Sequence, residues 1–189
     1  GAEAHSPSLA SGQRFGVFSL SEVGDGLREA PSILSSRISR DDDPRVLLHI
    51  ASAHLAGSQE GPEAAVRSLA LAARTLPSED LSAQLRYGQV RRATVLSAAR
   101  RGGDLTARAL ALPAPEGATA GSELELAFQS EGVRFRHGAP DEALARATAL
   151  LAGAEGTLES ERRGQLERRL AELYADRVAQ RLARGEGPE

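Results

Sequence analysis

Residues 43 to 77 read DPRVLLHIASAHLAGSQEGPEAAVRSLALAARTLP, and this stretch decides the fold class. Asp43 followed by Pro44 is a helix start, because the carboxylate accepts first-turn amides and proline's fixed φ and absent N–H suit the first helical position. Val46, Leu47, Ile50 and His54 recur at helical spacing. The run Gly57-Ser58-Gln59-Glu60-Gly61 interrupts that pattern and Pro62 opens a second helix. Its apolar stripe is Ala65, Leu69, Ala72, Ala73 and Leu76, and Pro77 ends it. Two helices joined by so short a turn fold back on one another as a hairpin.

Composition agrees with helices throughout. Apolar residues make up 41% of the 189-residue chain and charged residues 26%, ordinary for one globular domain, but aromatics are only 3%. Ala and Leu dominate the apolar set, and the β-branched and aromatic residues that favour strands are scarce. Lys, Asn, Met, Cys and Trp do not occur, so all 23 basic residues are Arg. That bias matches a GC-rich genome and points to a bacterial source. It also excludes a Schiff-base or phosphate-loop lysine, a thiolate nucleophile or ligand, and a disulfide. A net charge of −3 disfavours a general nucleic-acid binder, whose affinity comes from neutralising phosphates.

Before the hairpin, residues 1–14 are rich in Ser, Gly, Ala and Pro and read as a flexible segment. Residues 15–43 carry Phe15, Val17, Phe18 and Leu20 and read as a capping segment docked on an end of the helical body. No run approaches the roughly 20 apolar residues needed to span a bilayer. The absent initiator Met and the Ser/Pro-rich head favour an exported, periplasmic or cell-envelope protein, with a trimmed cytoplasmic chain as the alternative.

After the hairpin, Ser78, Glu79 and Asp80 start a long helix with Ala83, Tyr87, Val90, Thr94 and Ala98 on one face. Arg100-Arg101-Gly102-Gly103 stops it, and a shorter helix carries Leu105, Ala109 and Leu112. Residues 113–121 form a loop. Ser122 and Glu125 match a capping box for a helix that carries Leu124, Phe128 and Phe135 inward. Pro140, Asp141 and Glu142 begin the next helix, with Ala143, Leu144, Ala147, Leu150 and Leu151 inward. A final helix over Thr157 to Arg184 carries Leu166, Leu170, Leu173, Tyr174, Val178 and Leu182 on one stripe, and residues 185–189 are a polar tail. That stripe either caps the stack or pairs with a second copy, since Leu166, Leu170, Leu173 and Leu182 approximate a short heptad seam.

Restart signals at Gly61, Gly103 and Gly138 recur at a pitch of roughly 35 to 42 residues, the mark of a repeat. Within the first pair, Ala53, Ala65, Leu69, Ala72 and Pro77 follow an order that resembles the tetratricopeptide repeat, although the pitch exceeds that family's usual 34 or so. The resemblance implies an all-α fold over residues 44–184: antiparallel hairpins stacked as a short tetratricopeptide-like solenoid. A plain antiparallel bundle is the alternative. It further implies a concave, partner-binding surface lined by the first helix of each pair. Candidate partner-binding residues are Ile50, His54, Gln84, Arg91, Gln129, Arg134 and Arg136.

No catalytic constellation stands against that reading. His49 and His54 lie five apart, not the four that let two histidines share a metal on one helical face, and the Asp41-Asp42-Asp43 run lacks the glycine and distal glutamate of a calcium loop. Gly24-Asp25-Gly26 follows no strand pattern, so a dinucleotide or phosphate loop is unsupported. The expectation is a non-enzymatic adaptor or scaffold that takes no metal or cofactor and binds a protein or peptide. The alternative is a nucleic-acid-associated regulatory domain using Arg91, Arg92, Arg100 and Arg101.

Overall fold

A computed structural model describes residues 43–57 and 61–187. The segments expected to be flexible and capping, up to residue 42, lie outside the described residues, as do 58–60 and the last two. The helices are α1 (Pro44–Gly57), α2 (Gly61–Thr75), α3 (Leu81–Ala99), α4 (Gly103–Leu110), α5 (Ala120–Arg136), α6 (Pro140–Ala152) and α7 (Ser160–Ala183). Among the described residues there is no strand. The fold is all-α.

The helix starts follow from local chemistry. Asp43 Oδ1 accepts the Arg45 amide at 2.9 Å, and the Asp43 carbonyl takes the amides of Val46 and Leu47. Asp80 caps α3 by accepting the Ala83 amide at 3.0 Å. The expected capping box at Ser122 and Glu125 is corrected to one turn earlier. Thr119 Oγ1 accepts the Ser122 amide at 3.1 Å and Ser122 Oγ accepts the Thr119 amide at 3.0 Å. A serine hydroxyl at the third position thus does the work usually given to glutamate. Glu125 is left to approach Arg162 of α7, at 3.6 Å.

Three hairpins, α1 with α2, α3 with α4 and α5 with α6, stack in chain order, and every helix touches only helices one or two places away. The odd-numbered helices lie side by side in that order. Their cross-links show a common direction and register. Arg45 Nη2 donates to Asp80 Oδ2 at 2.6 Å, Arg86 Nη2 lies 3.2 Å from His49 Nδ1, and Arg92 Nη2 donates to Gln129 Oε1 at 2.7 Å. The partners are 35, 37 and 37 residues apart in sequence, so a similar length of chain separates each odd helix from the next.

One continuous core runs through α1 to α5, with Leu48, Ala65, Leu69, Tyr87, Val95 and Ala109 at its centre. Two smaller clusters seat the end of the stack: Phe128 meets Ala147, Leu151 and Leu166, and Phe135 meets Ala143 and Leu144, with Leu170 and Leu173 packed alongside. The final helix corrects a second expectation. Leu166, Leu170 and Leu173 face inward, but Tyr174, Val178 and Leu182 are 46%, 56% and 60% exposed. Steps of four residues overshoot a 3.6-residue turn by about 40°, so a stripe continued from Leu170 through 174, 178 and 182 rotates off the core. Three leucines of the expected heptad seam, Leu166, Leu170 and Leu173, are therefore packed against their own chain, and Leu182 is left exposed.

Candidate binding cleft

Helices α3 and α7 both touch α5 but not each other. α5 is therefore the floor of a cleft between them, of about 410 Å³. Leu96 stands on the α3 wall and Leu173 on the α7 wall, with Phe128, Gln129, Gly132 and Val133 on the floor and Arg136 at its rim. Arg169, Glu172 and Asp176 complete the α7 rim. On α5 the cleft residues Gln129, Gly132, Val133 and Arg136 fall at i, i+3, i+4 and i+7, one face of the helix. A Cβ placed on Gly132 would meet nothing within 4 Å, so the floor is open above it and a bound chain can approach the helix backbone.

The rim charges are unspent. None of the ion pairs among the described residues uses Arg136, Arg169, Glu172 or Asp176. The result is an apolar floor bordered by two cations and two anions. Two shallower depressions open on the same side of the odd helices. Ser52, Leu55, Gln89 and Ala93 line one between α1 and α3, and Leu81, Leu85, Pro115 and Leu126 help line the other beside the 113–119 loop.

Of the residues expected to bind a partner, Gln129 and Arg136 lie in the cleft. His54 is half-buried on α1, where burial and then the charge of Arg67 hold its pKa below the ordinary histidine range. The other four are buried and hold partners within the fold, although Gln84 and Arg91 also line the depression beside the 113–119 loop. Ile50 is 1% exposed. Gln84 bridges two loops, donating to the Pro77 carbonyl at 3.1 Å and accepting the Glu116 amide at 3.0 Å. Arg91 is 2% exposed, donates to the Leu110 and Leu112 carbonyls, and grips Glu123 through two bonds of 2.8 and 2.6 Å. Arg134 is 3% exposed and joins Glu131 to Glu142 at 2.9 and 2.7 Å.

These roles also bear on phosphate binding, since Arg91 is enclosed, while Arg92, bonded to Gln129, stays exposed together with Arg100 and Arg101. Burial raises the Glu131 carboxyl above its usual range, against the opposing charge of Arg134, in a network that ties α5 to α6. Among the described residues no group of three or more His, Cys, Asp and Glu side chains could hold a metal ion, and no helix is long and apolar enough to cross a membrane.

The cleft residues missed in the sequence are Leu96, Phe128, Gly132, Val133, Arg169, Glu172, Leu173 and Asp176. The i, i+3, i+4, i+7 set on α5 was the available signal, since Gln129 and Arg136 already stood on that face. No protein-family model, curated protein or solved structure matches the chain.

Proposed function

We propose that this protein is a non-enzymatic adaptor, a short tetratricopeptide-like solenoid that binds a segment of a partner protein in the cleft over α5. The observation that carries the reading is the cleft itself: an apolar floor opened by Gly132 and rimmed by charges of both signs that enter no ion pair among the described residues. A groove of this kind takes apolar anchors of a peptide on its floor and orients them through polar contacts at the rim. The in-register odd helices and neighbour-only packing support the repeat reading, because a stack built by repetition places equivalent helix faces side by side.

The test is capture of partners from lysate of the source organism by the wild-type protein and by Gly132→Leu. A Cβ at this position meets nothing within 4 Å, so the larger side chain projects into the open floor. A saturable partner retained by wild type and lost by the variant, at equal helicity, is the expected result. Equal retention by both would remove the cleft as the binding site.

A further inference from the structure

α7 stands to α5 as α5 stands to α3. It runs alongside in the same direction, and Glu125 faces Arg162 at the same sequence spacing that joins His49 to Arg86 and Arg92 to Gln129. Each earlier odd helix is backed by the even helix that follows it, whereas among the described residues no following helix backs α7. On α5 the side chains that make this connection are Arg134, bonded to Glu142, and its ion-pair partner Glu131. One repeat further along the chain, the equivalent positions are Ala171 and Arg168.

At Ala171 a strip of exposed residues begins: Ala171, Ala175, Val178 and Leu182, with Tyr174 at its border. Spacings of four and three keep them on one line along the helix, the pattern by which two helices interlock side chains. The strip lies on the side of α7 turned away from Leu166, Leu170 and Leu173.

We propose that this strip is a homodimer contact, in which α7 of a second copy, running antiparallel, takes the place of a backing helix. The residues choose both the occupant and the direction. With the two-fold axis between Asp176 and Arg177, Ala171 faces Leu182 of the second copy and Ala175 faces Val178 of the second copy. Every large side chain then meets a small one, and the same four layers serve both molecules, as an isologous contact requires. A parallel pairing sets leucine on leucine and alanine on alanine, leaving clash at one end and void at the other.

The antiparallel register also carries Arg168 to the C-terminal end of the second copy's helix, near Glu186 of the second copy, where both the carboxylate and the helix dipole favour a cation. The cleft residues Arg169, Glu172, Leu173 and Asp176 occupy other sides of α7. Dimerisation therefore leaves both clefts open and joins them, and a partner with two binding segments would be held far more tightly than by one cleft. The dimer rests on α7 alone and does not depend on the adaptor reading.

Sedimentation equilibrium over a range of concentrations tests the contact. The wild-type mass rises from 19.8 kDa toward twice that value, while Ala175→Glu, at an exposed helical position, keeps its helicity and stays monomeric. Because the chain has no cysteine, introduced ones report the register. Ala175→Cys mixed with Val178→Cys should form a mixed disulfide dimer faster than either variant alone links to itself. A wild-type mass constant at all concentrations, an Ala175→Glu protein that associates like wild type, or self-linking that outpaces mixed linking would overturn the proposal.

Discussion

Arg91 shows how a polar side chain on a helix can serve the fold instead of a ligand. Its guanidinium is enclosed, so the charge is tolerable only because Glu123 and two carbonyls satisfy it. Removing the carboxylate alone leaves that charge stranded. Glu123→Ala is expected to cost on the order of 3 kcal/mol, read as a lower urea midpoint at unchanged slope. A double replacement of Arg91 and Glu123 by leucine should recover part of the loss. Two carboxylates give the pH dependence opposite signs. The hydrogen bond from Arg45, then that from the Ala83 amide, holds Asp80 below its usual 3.8, so its contribution is present above that value and lost as pH falls through the folded pKa. Burial raises Glu131, so its contribution is fullest in acid and is lost as pH rises through the carboxylate range. Asp80→Asn should therefore flatten the acid limb of a stability-versus-pH curve, and Glu131→Gln should steepen it. The sequence marked Asp80 as a helix start but placed Gln84, Arg91 and Arg134 on a surface. Polarity tells that a side chain needs partners, not where they are, and those of Arg91 in Glu123 lie 32 residues along the chain.

Helices were the more legible level. All five residues assigned to the inner face of α3, from Ala83 to Ala98, are buried, as are Ala65, Leu69 and Ala72 of α2. Leu69→Ala should accordingly cost about 2 to 5 kcal/mol, whereas Leu85→Ala, at 67% exposure, should stay within about 0.5 kcal/mol. Thermal or urea unfolding of the pair checks both. α7 was half legible, because apolar spacing gives a stripe but not the angle at which packing ends; the inward leucines and the exposed strip are two faces of one periodic pattern. α5 adds a prediction of the reverse sign. Gly132 sits in mid-helix with space around its absent Cβ, so Gly132→Ala should raise stability by about 0.5 to 1 kcal/mol while shallowing the cleft.

At the scale of the molecule, the recurring restarts at Gly61, Gly103 and Gly138 were enough to foresee three successive hairpins, and the structure orders them so that only chain neighbours touch. The site was less accessible. Its walls come from Leu96 and Leu173, brought together only by the stacking of α3, α5 and α7, and no local pattern encodes that meeting. What the sequence did carry was one face of α5, through Gln129 and Arg136. The central claim is that a partner chain occupies the cleft above that face. A photo-cross-linking amino acid at position 136, on the cleft rim, compared with one at position 74, exposed on α2, tests it directly in lysate of the source organism. A discrete adduct from position 136, lost in the Gly132→Leu background, and none from position 74 is the expected result. Adducts of equal yield from both positions, or from neither, would contradict it.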